Sequence, residues 1–226
     1  MNLSLSNRLL ACCAFVTPGD RVADVGCDHG YLGIYLLRQG LARSVIASDI
    51  NKGPLQSAMG NSRKFGVAEQ MEFYLCDGVQ GIPRDFDTLV CAGVGADTMV
   101  SILDAAPWLK DARYRLILQC QSKCPALRRC LSDRGYAIRR ETLAKDGKFL
   151  YPVMEVVYAP GVPLSAAECF LTPALKSSGS PLLPEYLERM IRNLRLTVDG
   201  ISRSGGHAPS EYTEAIQTLE SFQSPC

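Results

Sequence analysis

The sequence is poor in several residue types, and each shortage excludes a class of protein. It has one tryptophan, two histidines and no CxxC pair among its ten cysteines. Cys120, Cys124 and Cys130 have no histidine near them in the sequence, so no metal site is predicted. No uncharged apolar run reaches about 18 residues, so no membrane-spanning helix is predicted.

An excess of charge of one sign is also lacking. The formal net charge is +1, which argues against non-specific coating of nucleic acid but permits a local basic patch. Arg8 interrupts the only apolar stretch near the start, and no charged segment precedes it, so a signal peptide is not expected. Several cysteines lie inside apolar runs, as buried thiols of reducing compartments do. We therefore expect a cytoplasmic protein.

The residues that are present predict an α/β fold. Hydrophobic residues make up 47% of the 226 residues, enough for a full core. Up to residue 160, short β-branched runs alternate with helical patterns, which is typical of βαβ units. Only KDGKFLY separates the last two strands, which predicts an antiparallel hairpin at the edge of a doubly wound, mostly parallel sheet. The predicted strands are 21–26, 44–49, 71–77, 87–94, 115–120, 136–144 and 152–159, with helices after Gly30 and around 54–65, 97–103 and 125–134.

The remaining residues follow a different pattern. Residues 161–182 are rich in proline, glycine and serine, which predicts a linker with at most one short helix. Apolar residues then recur three or four apart from Leu183 to Ile201 and again from Tyr212 to Phe222. This spacing predicts two helices packed as an antiparallel hairpin. We therefore divide the chain into a domain at 1–160 and a smaller helical domain at 161–226.

The segment DVGCDHGYL, which begins at Asp24, follows a strand and opens a helix, where doubly wound sheets bind nucleotides. Gly26 and Gly30 permit a tight turn, and the helix start offers free N–H groups. Asp28 stands where the dinucleotide motif has glycine, and two carboxylates in one loop would repel a pyrophosphate. They suit a cationic ligand such as S-adenosylmethionine. The alternative is an ordinary loop at a strand end.

Two further acids follow the next two strands. Asp49 lies about 25 residues after Asp24, where a carboxylate can accept both ribose hydroxyls. Asp77 and Gly78 end the third strand, where an acid can bind the adenine amino group. Gly93 ends the fourth strand and allows either close approach of a ligand or a bend of the backbone. Each aspartate alone is as readily a cap or loop residue, but three at one sheet edge indicate a binding site.

Taken in order, LSNRLLACCAFVTPGDRVADVGCDHGYLGIYLLRQG, ASDINKGPLQSA, CDGV, DTLVCAGVG and LILQ resemble the bacterial TrmK family. Members of that family are S-adenosylmethionine-dependent tRNA (adenine-N1)-methyltransferases that act on adenosine 22. The resemblance covers about the first 160 residues, and the tail resembles the family's coiled-coil-like domain more loosely. It implies a Rossmann-like class I methyltransferase fold, S-adenosylmethionine as cofactor, tRNA as partner, and methyl transfer to N1 of an adenosine.

The predicted site combines this resemblance with the chemistry of the residues. For catalysis we nominate the Asp28 carboxylate, to stabilise positive charge, and Gln119 as an amide contact. The predicted cofactor contacts are Asp24, Gly26, Cys27, Asp28, His29, Asp49, Ile50, Asp77, Gly78 and Gly93. The predicted substrate contacts are Arg8, His29, Val94, Gly95, Arg128 and Arg129.

Two basic groups are candidates for phosphate contacts. The densest contains Arg128, Arg129, Arg134, Arg139 and Arg140, and the other repeats every three residues at Arg189, Arg192 and Arg195. The alternative for each is a solvated face, which the acidic balance of the tail favours for the second group. No oligomeric state is predicted.

Two segments depart from the family pattern. Gly93-Val94-Gly95-Ala96 stands where the family has GMGG, and Leu118-Gln119-Cys120-Gln121 stands where it has LQPN. Both follow strands that face the expected acceptor pocket. Two alternatives therefore stay open, a methyltransferase of the same fold that acts on another RNA base or a small molecule, and a non-catalytic relative that binds cofactor or RNA.

Overall fold

The structure, a computed structural model, describes residues 3–223 and is built on one seven-stranded sheet. The strand order is β3-β2-β1-β4-β5-β7-β6, and the first five strands in that order are mutually parallel. The strands are β1 (Asp20–Val25), β2 (Ala42–Asp49), β3 (Met71–Leu75), β4 (Thr88–Val94), β5 (Arg115–Cys120), β6 (Tyr136–Asp146) and β7 (Phe149–Tyr158). The predicted doubly wound fold is confirmed.

The hairpin lies at the sheet edge, and its second strand is the inner one. β7 pairs antiparallel with β5 and with β6, so β7 is the one strand of opposite direction within this sheet and β6 forms the edge. Gly147 and Lys148 connect the two strands, and we call them, together with Asp146 at the end of β6, the hairpin turn. Its position is important below because this turn lies against the N-terminal helix.

Nine α-helices are described between residues 3 and 223. Within that range, no helix is both long and apolar enough to cross a membrane. The helices are α1 (Asn7–Cys13), α2 (Tyr31–Arg38), α3 (Lys52–Lys64), α4 (Ala96–Asp104), α5 (Cys124–Asp133), α6 (Ala166–Phe170), α7 (Pro173–Lys176), α8 (Leu183–Arg203) and α9 (Ser210–Gln223).

Both faces of the sheet are buried, as parallel strands require. Alternate residues of β1 contribute to opposite sides, with Val22 in one apolar cluster and Ala23 in the other. Helices α1, α2 and α3 cover the Val22 side, and α4 and α5 cover the Ala23 side. This arrangement leaves the carboxyl ends of β1 to β5 as the edge at which loops meet a ligand.

The structure corrects the prediction of a linker after residue 160, because this segment contains two short helices. Residues 166–176 form α6 and α7, which pack against α5, β6 and α9. Ser165 and Glu168 form a capping box at the start of α6, and Thr172 caps α7. The capping residues are visible in the sequence, but an argument from the proline, glycine and serine content does not use them. The segment is therefore part of the packed fold.

A buried ion pair between Arg128 and Glu141 holds this segment to the sheet. It corrects the prediction that Arg128 contacts the substrate. Arg128 and Glu141 are both fully buried, and the Arg128 guanidinium donates to Glu141 and to the carbonyls of Cys169 (3.1 Å) and Phe170 (2.8 Å). Thr172 donates to the other oxygen of Glu141. Arg128 is therefore inaccessible to RNA, and it joins α5 and β6 to α6.

Candidate functional site at the sheet edge

The loop after β1 is shaped by backbone hydrogen bonds. The N–H groups of Gly26 and Cys27 both donate to the carbonyl of Ser48 at 2.9 Å. Gly30, at φ +71°, begins α2, and a Cβ atom there would lie 2.8 Å from that of Ala58. Glycine is therefore required at position 30, because both its conformation and its contact with α3 exclude a side chain.

Asp49 is buried at the end of β2, and its carboxylate is held by two backbone donors. One oxygen accepts from Asp28 N at 3.1 Å and the other from Asn51 N at 2.8 Å. Each carboxylate oxygen retains a lone pair beyond these bonds. The orientation is therefore fixed before any ligand arrives, which suits recognition of a pair of hydroxyl groups.

Asp24 is buried at the end of β1 with an unsatisfied oxygen. Its Oδ2 atom has no hydrogen-bond partner in the described structure. Burial raises the Asp24 pKa to about 7, while a hydrogen bond from the backbone of Gly33 opposes this rise and the negative charge of Asp49 adds to it. A nearby cation stabilises the ionised form of a buried acid. The environment of Asp24 therefore agrees with the prediction that this loop suits a cationic ligand.

Asp28 and His29 form the exposed wall of the loop. Asp28 has φ +50°, which few non-glycine residues adopt, and this conformation accompanies the bond from its N–H to Asp49. Its carboxylate is exposed and lies 3.6 Å from Nε2 of His29. The backbone of Asp28 therefore orients Asp49, while its side chain stays free to meet a ligand.

Asp77 lies two residues after the end of β3, not within the strand as predicted, and the loop that carries it is hydrogen-bonded to the end of β2. Cys76 N donates to the carbonyl of Asp49 at 3.1 Å, and Ser48 Oγ donates to the carbonyl of Gly78 at 3.0 Å. The Asp77 side chain is exposed. Ile50 is 64% exposed beside Asp49, and an apolar side chain in that position can pack against a flat ring. The strand ends thus offer an acid, an apolar surface and a second acid.

Gly93, Gln119 and Arg8 meet at the end of β4. Gln119 is fully buried, and its Oε1 atom accepts from Gly93 N at 3.0 Å and from Arg8 Nη1 at 2.9 Å. A Cβ atom on Gly93 would lie 3.0 Å from Arg8 Nη1. The nomination of Gln119 as an amide contact to the base is corrected, because its oxygen already has two donors and its side chain is closed to solvent. Gln119 positions Gly93 and Arg8 instead.

Asp146, in the hairpin turn, was not among the predicted site residues. Its two carboxylate oxygens accept from the backbone N–H groups of Asn7 (2.8 Å) and Arg8 (3.2 Å), the first residues of α1. It also lies 3.8 Å from the Arg8 guanidinium. Asp146 therefore caps α1 and restrains Arg8 from 138 residues away along the chain. The Asp-Gly pair predicts a turn, but no local signal indicates what the aspartate contacts.

The two segments that depart from the family pattern contact each other. Gln121 N donates to the carbonyl of Val94 at 2.9 Å, and Ala96 N donates to that of Ser122 at 3.3 Å. A Cβ atom on Gly95 would lie 3.1 Å from Ser122 Oγ. Both departures thus form one surface at the ends of β4 and β5, next to Gly93.

The dense basic group does not act as one surface, because its described ion pairs are directed to different parts of the fold. Arg129 pairs with Glu211 of α9 at 2.7 Å, Arg134 with Asp104 at 2.7 Å, and Arg140 with Glu155 at 2.6 Å. Arg129 stays partly exposed, so its RNA contact remains a prediction. The arginines of α8 also have different partners, since Arg189 pairs with Glu185 of the same helix and Arg195 pairs with Glu220 of α9.

Comparison with known proteins identifies the family. A family model described as a methyltransferase domain matches residues 5–154. A Bacillus subtilis protein named tRNA (adenine(22)-N(1))-methyltransferase is 32% identical over 148 residues, which are 65% of this chain and 62% of that protein. A Streptococcus pneumoniae structure in complex with S-adenosyl-L-methionine superposes with a TM-score of 0.84 at 27% identity, over 98% of this chain and 100% of that one. The chain belongs to the TrmK family.

The TrmK fold extends beyond the methyltransferase domain. The structure of B. subtilis TrmK superposes with a TM-score of 0.80 at 24% identity, covering 98% of this chain and 97% of that one. The helical tail therefore belongs to the shared fold, although the curated B. subtilis sequence aligns over only 62% of its length. The sheet edge described above, from Arg8 to Asp146, lies within the matched residues 5–154.

Proposed function

We propose that the chain transfers a methyl group from S-adenosylmethionine to N1 of an adenosine in tRNA, at position 22. The observation that carries the proposal is the preformed strand-end site, in which Asp49 is oriented by two backbone N–H groups and adjoins an unpaired buried acid, Asp24. The family relationship supports the reaction and the tRNA substrate, and such a substrate implies a cytoplasmic location. We assign the site residues on geometry.

The donor set of the loop fits S-adenosylmethionine. In our assignment, Asp49 accepts the two ribose hydroxyls, Ile50 packs against the adenine, and Asp77 accepts from its amino group. The carboxylates of Asp24 and Asp28 face the positively charged part of the cofactor. The unpaired Oδ2 of Asp24 is the observation that favours a cationic ligand, because a buried acid without a partner is costly. When bound, S-adenosylmethionine supplies an electrophilic methyl group.

The chain's main catalytic task is to position the adenosine. N1 of adenine carries its lone pair in the ring plane and is unprotonated at neutral pH, so no side chain has to remove a proton. The absence of a side chain on Gly93 leaves room for the Arg8 guanidinium beside it, and Gln119 fixes both the Gly93 backbone and Arg8, so that Arg8 is positioned to contact the RNA. Alignment of the reacting atoms then supplies much of the rate acceleration. The exposed carboxylate of Asp28 stabilises the positive charge that the methylated base acquires.

The base has to be unpaired before it can react. N1 lies on the Watson–Crick edge, so a paired adenosine must be flipped out of its helix, which costs a few kcal/mol. Contacts with the rest of the tRNA offset that cost, and we assign them to the surface around α1, the hairpin turn and the helical tail. His29, Val94, Gly95 and the partly exposed Arg129 remain candidates for contacts with RNA.

A second candidate function rests on the paired departures from the family pattern. Val94 and Ala96 adjoin Gln121 and Ser122 through backbone hydrogen bonds, so the substitutions alter one continuous surface beside Gly93. A changed acceptor surface beside an intact cofactor loop favours a different RNA base as the target. This candidate retains the cofactor and the fold, and it differs from the first only in the product.

The experiment that tests the proposal maps the methylated base. Purified protein is incubated with an unmodified tRNA transcript and S-adenosylmethionine, and the nucleosides are identified by mass spectrometry. We expect N1-methyladenosine, located at position 22 by a stop in reverse transcription. A different methylated nucleoside supports the second candidate, and cofactor binding without methyl transfer to any RNA contradicts both.

Two controls make this experiment specific. A transcript with guanosine in place of adenosine 22 removes the acceptor and should abolish the product. The Asp49→Ala variant, purified in the same way, should lose most of the activity, which excludes a contaminating methyltransferase. Equal product from the substituted transcript would refute the assignment of position 22.

A further inference from the structure

A cleft lies between the methyltransferase domain and the helical tail, separate from the cofactor loop. It has a volume of about 270 Å³ and is bounded by the loop between β5 and α5, by the start of β7, and by α8. Cys120, which directly follows Gln119 in the sequence, is among its lining residues. The cleft therefore adjoins both the end of β5 and the tail.

The lining combines aromatic rings with cationic and amide groups. Phe149 is 53% exposed, which is unusual for a large apolar ring, and its centroid lies 6.1 Å from that of Tyr151. Lys123 and Arg189 also line the cleft, and none of its described lining residues is acidic. The side chains of Gln121 and Asn193 add amide donors and acceptors at its margin.

We propose that this cleft binds an unpaired nucleotide of the RNA substrate, with its base stacked on Phe149 and its phosphate near Arg189. This inference deepens the proposed function and rests on it. An exposed ring presents a flat face to any base, and stacking on aromatic side chains is the common device of proteins that hold single-stranded nucleic acid. The amides at the margin match the hydrogen-bonding edges of a base.

The charges around the cleft favour an anionic ligand such as RNA over a neutral or cationic one. The Arg189 guanidinium donates to the carbonyl of Lys148, next to Phe149, and to Glu185. Lys148 lies with its ammonium group 5.4 Å from the centre of the Phe149 ring. A phosphate that follows the stacked base would therefore meet two cations, and phosphate contacts of this kind position an RNA without reading its sequence.

The tail arginines differ in where they lie. Arg189 pairs with Glu185 on its own helix, donates to the hairpin turn and lines the cleft, whereas Arg195 pairs with Glu220 of α9 at 2.6 Å. Arg192 and Arg195 line a different surface, which also contains Glu188, Asp199 and Glu220. The sequence left phosphate contact and a solvated face open for all three arginines; the proposed phosphate contact is therefore confined to Arg189, and Arg195 supplies an internal control.

The test replaces Phe149 in two ways. Phe149→Leu keeps an apolar side chain but removes the ring, and Phe149→Tyr keeps the ring. With the full-length protein, affinity is measured for an unmodified tRNA transcript and for a short single-stranded RNA that contains 2-aminopurine, whose fluorescence falls on stacking. We expect Phe149→Leu to weaken binding of both RNAs about tenfold and to abolish the fluorescence change, and Phe149→Tyr to resemble the wild type.

The matched control is Phe222→Leu, since Phe222 of α9 is a phenylalanine of similar exposure, at 43%, and lines a different surface. All variants should keep the wild-type thermal unfolding midpoint and affinity for S-adenosylmethionine. A second arm compares Arg189→Gln with Arg195→Gln. Only the first should flatten the salt dependence of RNA binding, by about one phosphate contact.

The outcomes separate this inference from the proposed function. If Phe149→Leu binds both RNAs with wild-type affinity and fluorescence change, the cleft does not hold a base, even if the wild type methylates adenosine 22. If the wild type forms no methylated nucleoside but its binding of RNA depends on the ring of Phe149, the proposed reaction is refuted and the cleft assignment stands.

Discussion

The two halves of the sheet edge are constructed differently. The half that we propose to bind the cofactor, from Gly26 to Asn51 (the cofactor half), is held by backbone N–H groups that donate to the Ser48 carbonyl and to the Asp49 carboxylate, between segments that are close in the sequence. The acceptor half joins Arg8 to Gln119 and Arg8 to Asp146, residues more than a hundred positions apart. One half depends on local conformation and the other on the tertiary packing of side chains.

This difference teaches where variation is tolerated. In the cofactor half, the positive φ of Gly30 and its close contact with Ala58 exclude other residues at that position. In the acceptor half, Val94 and Cys120 pair with each other at the ends of β4 and β5, where Cys120 is buried and Val94 packs against the same apolar cluster. The departures from the family pattern occur in this second half, where they leave the cofactor loop unchanged.

The largest effect is expected from a substitution that breaks the buried ion pair between Arg128 and Glu141. Arg128→Ala leaves Glu141 buried without its partner, and removal of one member of a buried pair typically costs about 3–5 kcal/mol. We expect a loss of that size in the free energy of unfolding measured with denaturant. Arg129→Ala, whose pair with Glu211 is partly exposed, should change it by less than about 1 kcal/mol. Equal effects of the two substitutions would show that the buried pair does not anchor the tail.

The second effect concerns Asp24 and depends on pH. The Asp24 pKa is about 7 in the folded chain, through burial, against 3.8 as its ordinary value. Between these values the unfolded chain has lost the proton and the folded chain retains it, so stability falls as the pH rises, by about 1.4 kcal/mol per pH unit. Below the ordinary value, and above the folded value, this contribution does not change with pH.

Asp24→Asn removes that titration. Without cofactor, the variant should therefore gain stability relative to the wild type as the pH rises from about 4 to 7, and the gain should level off above 7. Thermal or denaturant unfolding at several pH values measures it. A constant difference across this range would mean that Asp24 is already ionised in the folded chain at low pH.

The sequence could predict much of the fold and of the cofactor half, because both follow from local patterns. Strand β5 lies at residues 115–120, as predicted, since its apolar run is uninterrupted and bounded by turn signals. The loop from Gly26 to Gly30 and the acid at Asp49 follow from the strand–turn–helix pattern. The hairpin follows from the short connection between its strands.

The acceptor half and the tail could not be predicted in the same way. Arg128 resembles any surface arginine in a basic run, and only its tertiary contact with Glu141 shows that it is buried. The oxygen of Gln119 has its two donors on β4 and α1, and neither contact has a periodicity that a sequence reveals. Charge and polarity alone therefore misassign both residues as contacts with the substrate.

The third effect tests the cofactor half directly. Asp49→Ala removes the acceptor for Asp28 N and the acceptor that we propose for the ribose hydroxyls, and should weaken S-adenosylmethionine binding by about 1–3 kcal/mol. Calorimetry with the folded variant measures this loss. Asp77→Ala, at an exposed position, should have a smaller effect. If the Asp49 variant binds with unchanged affinity, Asp49 is not part of the site.

The fourth effect separates chemistry from binding. Asp28→Asn removes the charge, and asparagine accepts the positive φ at this position readily, so the backbone bond to Asp49 should persist. Methyl transfer in a single turnover should fall about tenfold, equivalent to about 1.4 kcal/mol. Wild-type turnover in this variant would exclude a role for the Asp28 charge in the transfer.

The smallest effect tests whether the hairpin turn positions Arg8. Asp146→Ala removes the cap of α1, which should lower stability by about 1 kcal/mol, and releases Arg8 from its restraint. Cofactor affinity should not change, because Asp146 contacts the acceptor half alone. The turnover number should fall severalfold, since Arg8 and Gly93 share the oxygen of Gln119 and move together.

A double-mutant cycle decides whether this effect passes through Arg8. If Asp146 acts on turnover by holding Arg8, then Asp146→Ala should have little further effect on turnover in the Arg8→Ala background, although it should still remove the helix cap and lower stability. Additive losses of turnover would instead show that Asp146 affects the reaction by a separate route. Non-additive losses would show that the hairpin turn, whose Lys148 carbonyl also accepts from Arg189 of α8, restrains the residue beside Gly93.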